Sequence, residues 1–357
     1  MNNKSEPRVI VQLLSWNQLQ EVVDCLESFS CITYQNYEVI LVDNGSEDET
    51  VKTVREKYPF VTIIENAENL GFCKANNIGF RYCLKKNFDY LLLLNTDTKV
   101  RPNLLDELVR IMKNDPKIGI AGAKNLMLED PEYMWGQYCN VTWGPMLVKI
   151  IGGSEPDRNL NQPPKEVDSV ICNGCMISRV ALETVGEFDE NFWQCNEDID
   201  WSYRAKTAGF LVVYVDTASI LHKGGSSAAL GRKKRFSYGY FIARNAFMFA
   251  KKYATPYQKV KLFCLVWFGV IVRLSLSIST SLVIFLRSLK LSVMGQRYFV
   301  RGIFDGLRGR LSPDYMIIQA GPPPRPPLTI SQRLRIRETL PYYVRIWQRF
   351  KRWVGAL

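Results

Sequence analysis

The sequence predicts an α/β protein with a mostly parallel sheet flanked by helices. The first observation is that short apolar runs alternate with helical patterns throughout the first half of the chain. The second is that the runs at 39–42 and 91–94 are continuously apolar, which is typical of parallel strands buried on both faces. The third is ample material for a core, because 47% of the 357 residues are hydrophobic.

The first predicted unit is a strand from Val9 to Ser15 followed by a helix. Asn17 is the expected N-cap of that helix, because its side chain can accept a hydrogen bond from the first turn. Apolar residues at helical spacing would share one face of the helix and pack on the sheet, namely Leu19, Val22, Val23, Leu26 and Phe29.

The second predicted unit begins with a strand over Val39–Val42, which ends in Asp43-Asn44-Gly45-Ser46. Ser46 and Glu49 have the spacing of a capping box, which predicts a helix over 47–57. Further along, the pattern predicts strands over Val61–Glu65 and Leu91–Leu94 and a helix that starts near Pro102.

The second half of the chain has a looser pattern. Residues 129–166 are rich in Pro, Gly and aromatic residues, which predicts a long irregular segment. Strands are predicted over Val167–Ser178 and Phe210–His222. Between them, Glu197-Asp198-Ile199-Asp200 is predicted to open a helix that ends near Gly209.

Three polar side chains stand at the carboxyl ends of predicted strands: Ser15, Asp43 and Asp97. Ligands bind at these ends in parallel sheets, so the three residues should converge on one site. Asp43 is suited to bind a nucleotide base or ribose, or else to form the turn before Asn-Gly. Asp97 is suited to bind Mg²⁺ or Mn²⁺, which prefer oxygen ligands, or else simply ends its strand.

Three acids lie within four positions, at Glu197, Asp198 and Asp200. Crowded carboxylates raise one another's pKa, which suits a general base, although acids also stabilise the start of any helix. Asp200 and Arg204 are four residues apart and are predicted to form an ion pair. His222 is the only histidine, and its position before Lys-Gly-Gly allows either a metal ligand or a structural role.

These elements resemble the inverting family 2 glycosyltransferases, and among them the rhamnosyltransferase-like group. The resemblance covers roughly residues 8–250, and the stretches are specific in combination and in order rather than singly. They are VIVQLLSWN at 9–17, VDNGSEDET at 42–50, NLGFCKANNIGF at 69–80, LLLLNTD at 91–97, GCMISRVALETVGEFDENF at 174–192, EDIDWSYRAKTAG at 197–209 and ILHKGG at 220–225.

The resemblance implies a GT-A, Rossmann-like catalytic domain that transfers a sugar from a nucleotide diphosphate with inversion. It implies dTDP-L-rhamnose as donor, a lipid-linked or cell-surface glycan as acceptor, and Mg²⁺ or Mn²⁺ as cofactor. The implied catalytic base is Asp198, and the implied metal ligands are Asp97 and His222. The donor pocket would contain Ser15, Asp43, Asn69, Gly71, Asn76, Asn95 and Asp97, and the acceptor side Gly174, Glu197 and Trp201.

One departure and several alternatives bear on this interpretation. The D-x-D of many relatives is Asn95-Thr96-Asp97 here, with a single carboxylate, so the identity of the metal stays open. The first strand is not followed by the G-x-G-x-x-G of a dehydrogenase, nor by the glycine- and arginine-rich loop of a nucleotidyltransferase. QRFKRW at 348–353 departs from the Q-x-x-R-W of processive synthases. A non-catalytic nucleotide-sugar or carbohydrate-binding module remains the alternative.

The positive charge of the chain is concentrated near its end. Residues 287–357 contain 14 Lys and Arg against 3 Asp and Glu, so the net charge of +11 belongs to this tail. The neutral remainder argues against a nucleic-acid partner. The N-terminal residues lack a signal-peptide pattern, and nine scattered cysteines fit reduced thiols, so we expect a cytoplasmic protein.

The apolar stretch over Leu262–Leu286 is interrupted by Arg273, which favours a helix lying in the membrane interface over a span. We therefore expect peripheral attachment to the cytoplasmic side of the membrane, assisted by the basic tail. The alternative is a helical hairpin with a homo-oligomer interface. The expected division is a catalytic domain at 6–255, a helical membrane-associated region at 256–320, and a Pro-rich break with a basic aromatic tail at 321–357.

Overall fold

The structure is a computed structural model that describes residues 6–144, 147–223, 232–279 and 297–311. The chain divides into two compact units. One, here called the sheet unit, comprises Met1–Asn140 and Ile150–Gly224. The other, the helical unit, comprises Val141–Lys149 and Gly225–Leu357. The predicted tail at 321–357 lies outside the described residues.

Thirteen strands are named in the part of the chain that the structure describes. They are β1 Val9–Ser15, β2 Tyr37–Asp43, β3 Thr62–Glu65, β4 Tyr90–Asn95, β5 Thr98–Val100, β6 Ile118–Met127, β7 Met134–Gly136, β8 Tyr138–Val141, β9 Val148–Ile151, β10 Lys165–Glu166, β11 Ser169–Val170, β12 Cys175–Ser178 and β13 Leu211–His222. The helices of the sheet unit are α1 Leu19–Ser28, α2 Thr50–Lys57, α3 Gly71–Leu84, α4 Leu104–Asn114, α5 Arg179–Val185 and α6 Glu197–Thr207.

The main sheet has the strand order β10-β13-β6-β12-β4-β1-β2-β3, with β5 added to β13 and β7 added to β6. The predicted α/β architecture with flanking helices is confirmed, and the long strands are mostly parallel as expected, although short antiparallel strands make the sheet mixed. Strands β4, β1, β2 and β3 are parallel, as are β6 and β13. Strand β12 lies antiparallel between β4 and β6, so the sheet is mixed.

The position of β12 follows from a turn that the sequence pattern concealed. The predicted strand over Val167–Ser178 is interrupted, because only 169–170 and 175–178 are extended strands. Gly174 has a φ of +79°, which a residue with a side chain adopts only at a cost. The turn therefore interrupts the continuous strand that the sequence predicts, and β11 and β12 belong to different sheets.

Two predicted helix starts differ from the structure. Helix α1 begins at Leu19, and Asn17 has a left-handed φ of +51°. The Asn17 side chain accepts a hydrogen bond from the Glu47 N–H at 2.7 Å, so it connects β1 to the turn after β2. Helix α2 begins at Thr50, and the Ser46 hydroxyl donates to Asp43 at 2.5 Å instead of capping a helix.

Strand β1 lies inside the sheet and is buried along nearly its whole length. Val9, Val11 and Leu13, which alternate along β1, belong to the main hydrophobic core. All three are fully buried. Burial of this continuous strand fixes the register of β2 and β4 against it. As a result, Ser15 lies opposite Asp43 at the carboxyl edge of the sheet.

The helical unit contains α7 Arg232–Tyr253, α8 Pro256–Ser279 and α9, a helix over 297–308. One face of α8 is buried through Leu262 and Val266, which pack in a small core with Phe247 of α7 and Ile303 of α9. Gly302 and Gly306 allow α9 to cross α7 closely, because a Cβ at either position would collide with the α7 backbone.

The opposite face of the first half of α8 exposes apolar side chains at helical spacing. We call Tyr257, Val260, Phe263 and Cys264 the apolar stripe; Tyr257 is 75% exposed and Val260 63%. None of the described helices combines the length and apolar character needed to cross a bilayer. The predicted apolar stretch over 262–286 begins in α8, and its last residues lie outside the described residues.

Candidate active site

The carboxyl ends of β1 and β2 present two buried polar side chains to one edge of the sheet. Ser15 is 1% exposed, and no described residue forms a hydrogen bond with its hydroxyl. Asp43 is 2% exposed, and its two oxygens accept from the Ser46 hydroxyl and N–H at 2.5 and 2.8 Å. Asp43 therefore forms the turn that its sequence context allows, while the Ser15 hydroxyl is a buried polar group whose hydrogen-bonding capacity is not used by the described residues.

Asn44 is a residue of the candidate site that the strand-end pattern did not indicate. Its side-chain oxygen accepts from the Leu70 N–H at 3.0 Å, and its amide donates to Asn69 at 3.0 Å. The Asn69 oxygen also accepts from the Gly71 N–H at 2.9 Å. Asn44 thus attaches the 69–71 turn to the end of β2, beside Asp43. The sequence signal was its place in the Asp-Asn-Gly-Ser run.

Gly71 starts α3 and is held against an aromatic ring. Its φ is +80°, and a Cβ there would lie 2.6 Å from the indole of Trp193. The Trp193 carbonyl accepts from the Cys73 N–H at 3.0 Å. Only glycine satisfies both the left-handed backbone and the close ring contact. The contact joins the start of α3 to the segment that precedes α6.

The structure gives Asn76 a structural position within α3. Its amide donates to the Phe72 carbonyl at 2.9 Å, and its oxygen accepts from Gln12 at 2.8 Å. Asn76 is 3% exposed, so these bonds occupy a side chain that the sequence analysis assigned to the donor pocket. Asn76 would therefore influence a donor pocket indirectly, by holding α3 against β1.

Asp97 and His222 are brought together although they are far apart in the sequence. His222 ends β13, which pairs with β5 directly after Asp97. The His222 Nε2 lies 3.2 Å from an Asp97 carboxylate oxygen, and the side chains are 8% and 7% exposed. Burial alone would raise the pKa of Asp97, but His222 and Lys223 outweigh this effect and lower it.

This pair brings an imidazole nitrogen and a carboxylate oxygen to one point, which is a donor set that Mn²⁺ accepts. Within the described residues, no group of three or more His, Cys, Asp or Glu side chains could enclose a metal ion. With two protein ligands, an ion at Asp97 and His222 would have coordination positions that oxygen atoms of a diphosphate could fill.

Asn173 supports the segment that carries Asp97. Its side-chain oxygen accepts from the Asn95 N–H at 3.0 Å, and its amide donates to the Thr98 hydroxyl at 2.9 Å. These bonds hold the residues on both sides of Thr96-Asp97. Asn173 is 3% exposed and precedes Gly174, whose left-handed backbone packs against Ile220 of β13.

The first turn of α6 contains two carboxylates with raised pKa values. Burial raises the pKa of Glu197 to about 8, with a further contribution from neighbouring Asp198, and one Glu197 oxygen has no described partner. Burial raises the pKa of Asp198 to about 6, although N–H groups of Ile199 and Cys172 partly offset this effect. The pKa of Glu197 is raised more than that of Asp198, so Asp198 is the more readily ionised of the two and the better candidate to accept a proton.

The other two α6 residues in the predicted site have structural roles. Asp200 pairs with Arg204 at 2.9 Å, which confirms the predicted ion pair. Trp201 is fully buried, and its indole N–H donates to the Gly186 carbonyl at 2.8 Å. Trp201 thus packs in the interior of the sheet unit, and its acceptor-side role stays a prediction.

A chain of contacts connects the candidate base to the candidate metal ligands. Asp198 accepts from the backbone of Cys172, and the adjacent Asn173 holds Asn95 and Thr98 on either side of Asp97. Asp97 in turn contacts His222. The candidate base and the candidate metal ligands are thus parts of one connected framework.

Comparison with known proteins gives this framework a context. The family model described as "Glycosyl transferase family 2" matches residues 11–186. An N-acetylglucosaminyl-diphospho-decaprenol L-rhamnosyltransferase of Mycobacterium tuberculosis is 27% identical over 219 residues, covering 55% of this chain and 70% of that protein. The dTDP-rhamnosyl transferase RfbF of Shigella flexneri is 27% identical over 233 residues, covering 62% and 73%.

Two solved structures are similar in fold. GalNAc-T7 with UDP, GalNAc and Mn²⁺ has a TM-score of 0.53 at 18% identity, covering 73% of this chain and 54% of its own. The mannosyltransferase PcManGT from Pyrobaculum calidifontis, in complex with GDP-Man and Mn²⁺, has a TM-score of 0.51 at 17% identity, covering 85% and 88%. At these identities the likeness shows the fold, which is the GT-A type.

Proposed function

We propose, from the premise that residues 11–186 of this chain form a family 2 glycosyltransferase domain, that the protein transfers L-rhamnose from dTDP-L-rhamnose. The chain is a nucleotide-sugar glycosyltransferase, and the proposal adds the sugar, the acceptor and the stereochemistry. The rhamnose donor is supported by the names of two relatives, each 27% identical. The proposed acceptor is a lipid-linked or cell-surface glycan, as the decaprenol in one of these names suggests.

The observation that carries the proposal is the connected framework from Asp198 to the Asp97–His222 pair. Sugar transfer from a nucleotide diphosphate requires a base for the acceptor hydroxyl and neutralisation of the leaving diphosphate. Asp198 supplies a carboxylate whose pKa of about 6 leaves it ionised near pH 7. Asp97 and His222 lie 3.2 Å apart where a divalent ion could bind.

We assign the ion to Asp97 and His222 and take it to be Mn²⁺ or Mg²⁺. When bound, such an ion stabilises the negative charge that develops on the departing diphosphate. The protein's part is to hold the two side chains at the sheet edge, which Asn173 does through Asn95 and Thr98. Asp43, Ser15 and the turn held by Asn44 are assigned to the nucleoside side of the donor.

The proposed reaction is a single displacement. Asp198 removes the proton of the acceptor hydroxyl as its oxygen forms a bond to the anomeric carbon, while the bond from that carbon to the diphosphate breaks. The diphosphate leaves with the bonding electron pair, and the configuration at the anomeric carbon inverts. Only one base is needed in this scheme, and no protein nucleophile takes part.

The apolar stripe supports attachment to the membrane surface on the cytoplasmic side. Tyr257 and Val260 are among the most exposed large apolar side chains of the described residues. Lys251 and Lys259 are exposed nearby, and lysines near an anionic lipid surface each contribute about 1 kcal/mol of binding. A membrane position would place the enzyme beside a lipid-linked acceptor.

A screen of nucleotide sugars by thermal unfolding tests the donor assignment. The full-length chain is measured with dTDP-L-rhamnose, other dTDP-, UDP- and GDP-sugars, and either Mg²⁺ or Mn²⁺. A ligand at 100 times its dissociation constant should stabilise the fold by about 2.7 kcal/mol. The largest stabilisation is expected with dTDP-L-rhamnose. A larger effect of a UDP- or GDP-sugar would reject the donor, and no effect of any nucleotide would favour a carbohydrate-binding module.

The metal assignment predicts that Asp97→Asn and His222→Asn each abolish stimulation by Mn²⁺ and weaken donor binding by at least tenfold. Because both side chains would bind one ion, the double variant should be little worse than either single variant. Isothermal titration with dTDP in the presence and absence of Mn²⁺ measures this. Asp106→Asn, on the half-buried surface of α4, is the matched control. Retained metal-dependent binding in Asp97→Asn would exclude Asp97 as a ligand.

A further inference from the structure

Trp135 is aimed at the Asp97–His222 pair by an irregularity in β7. Strand β7 pairs antiparallel with β6, with Gly136 opposite Asn125 and Met134 opposite Leu126. Trp135 between them is consequently an extra residue without a ladder partner of its own. A bulge of this kind rotates the direction of the residue it contains, and bulges are common next to active sites.

The rotated side chain lies directly against His222. The two ring centroids are 4.8 Å apart, and the ring planes are inclined by 60°. Met134 and Gly136 are buried, whereas Trp135 is half-buried. A large apolar surface is thereby retained beside a site whose other side chains are charged or polar.

The backbone on both sides of Trp135 is fixed. The Met134 N–H donates to the Glu155 carbonyl at 2.8 Å, and the Ser154 N–H donates to the Met134 carbonyl at 2.8 Å. Gly136 lies so close to Ile150 that a Cβ would come within 2.7 Å of that side chain. A tryptophan on such a support offers a rigid contact area with little loss of conformational entropy on binding.

We propose that Trp135 is a stacking platform for a pyranose ring at the Asp97–His222 pair. One face of a pyranose presents C–H groups with partial positive charge, and the face of an aromatic ring carries negative charge. The methyl group of a 6-deoxy sugar would add apolar surface to the same contact. The inference rests on the proposed function, because it takes a sugar to be bound at this pair.

The pyranose could be the transferred sugar or the first sugar of the acceptor, and the experiment separates these sources. Trp135 could instead act only as a brace for the imidazole of His222. A brace would affect binding of the metal and nucleotide, whereas a sugar platform affects binding of the sugar and leaves the nucleotide contribution unchanged.

The experiment compares the full-length wild type with Trp135→Phe and Trp135→Ala. Isothermal titration measures binding of dTDP with Mn²⁺ and of dTDP-L-rhamnose with Mn²⁺, and steady-state kinetics give the KM for the acceptor. For Trp135→Ala we expect dTDP affinity within twofold of wild type. We expect either about a tenfold loss in dTDP-L-rhamnose affinity or about a tenfold rise in the acceptor KM, in keeping with the contribution of ring stacking. Trp135→Phe should recover most of that loss.

Weaker binding of dTDP-L-rhamnose identifies the transferred sugar as the occupant of the platform. A rise in the acceptor KM identifies the acceptor sugar instead. An equal loss for dTDP and dTDP-L-rhamnose would overturn the proposal in favour of a brace. Unchanged affinity and unchanged KM in Trp135→Ala would overturn it as well. If wild-type protein prefers another nucleotide sugar, the donor assignment fails separately, and the comparison is made with that sugar and its nucleotide.

Discussion

Glu197 and Asp198 are neighbours in the first turn of α6, yet their carboxylates have different surroundings. Asp198 accepts hydrogen bonds from backbone N–H groups, including that of Ile199 at 2.8 Å. One oxygen of Glu197 has no described partner, and the residue is 7% exposed. Hydrogen bonds favour the ionised form of a carboxyl group, and burial without partners favours the protonated form. The two adjacent acids are therefore suited to opposite protonation states at neutral pH.

We expect Asp198→Asn to reduce kcat by roughly 10²–10⁴-fold, the usual contribution of a general base. The amide preserves the shape of the side chain but cannot take a proton, so donor binding should be retained. Initial rates and dTDP titrations measure the two effects. Asp200→Asn is the matched control, because the Asp200 carboxylate pairs with Arg204. This variant should have a lower Tm but a kcat close to that of wild type. A nearly active Asp198→Asn with an inactive Asp200→Asn would assign the base to Asp200.

Wild-type kcat/KM should decline as the pH falls below about 6, because Asp198 becomes protonated there and loses its ability to accept a proton. Rates measured from pH 5 to pH 8 at constant ionic strength test this dependence. A rate that stays level down to pH 5 would contradict Asp198 as a base of this pKa.

Glu197 should make the fold less stable as the pH rises. Its folded pKa of about 8 exceeds the ordinary value of 4.5, so the folded state binds more protons than the unfolded state between these values. Stability is then highest below about pH 4.5 and is lost progressively up to about pH 8. We expect Glu197→Gln to raise Tm on the order of several degrees at pH 8.5. A far smaller difference is expected at pH 5.5, and an equal Tm shift at both pH values would contradict the assignment.

The turn between β11 and β12 joins elements that are remote in the sequence. Asn173 lies in this turn and bonds the Asn95 backbone, which is 78 residues earlier. Cys172 in the same turn contacts Asp198 through its N–H. The turn therefore sets the position of the Asp97 segment relative to the first turn of α6. Both sides of the candidate site depend on one short connection.

We expect Asn173→Ala to destabilise the fold by about 1–3 kcal/mol, because it leaves the buried Asn95 N–H and Thr98 hydroxyl without this partner. Stimulation by Mn²⁺ should fall as well, since the Asp97 segment loses its support. Thr98→Val removes only one of the bonds and should cost about 0.5–1.5 kcal/mol. Urea unfolding gives the stabilities. Equal stability of Asn173→Ala and wild type would show that the turn holds its shape without this side chain.

The strand-end residues could be predicted from the sequence because each follows its own apolar run, and parallel strands align their carboxyl ends. Ser15 and Asp43 needed only this local pattern, and the Asp200–Arg204 pair needed only helical spacing. Asn173 and Trp135 could not be found this way. Their roles depend on the antiparallel insertion of β12 and on a bulge in β7, neither of which leaves a periodic signal.

The mixed character of the sheet was missed for a related reason. A turn within Val167–Ser178 is hidden in a sequence that is apolar enough to be one strand. Its indicator was Gly174, since an isolated glycine in a strand pattern often marks a bulge or a turn. The full burial of Trp201 could not be predicted, because an aromatic residue beside acidic residues is equally compatible with a binding site and with a core position.

At the scale of the whole molecule, the residues proposed for catalysis and those proposed for membrane attachment lie in different units. The candidate active-site residues belong to the sheet unit, and the apolar stripe belongs to the helical unit. The stripe is opposite the buried face of α8, so substitutions there leave Leu262 and Val266 in their core. Membrane attachment can consequently be tested without disturbing the fold of the helical unit.

We expect the double variant Tyr257→Glu and Val260→Glu to lose at least tenfold in binding to vesicles of phosphatidylglycerol and phosphatidylcholine. Both side chains are exposed, so Tm and transfer to a short soluble acceptor should change little. Flotation at low and high salt measures the binding and its electrostatic part. If full-length wild type stays unbound at both salt concentrations, the membrane proposal is wrong. A wild-type dimer that the double variant abolishes would then identify an oligomer interface.

The exposed thiols of this chain can report on which parts of its surface are covered. Cys31 and Cys264 are exposed, and the other seven cysteines are buried or partly covered. Cys264 is part of the apolar stripe, whereas Cys31 lies in the sheet unit. A maleimide reagent added to native protein should therefore label two positions first. Contact with lipid would slow labelling at Cys264 and leave the rate at Cys31 as an internal reference, so mass spectrometry of the unmodified sequence could show whether the face that carries Cys264 is covered.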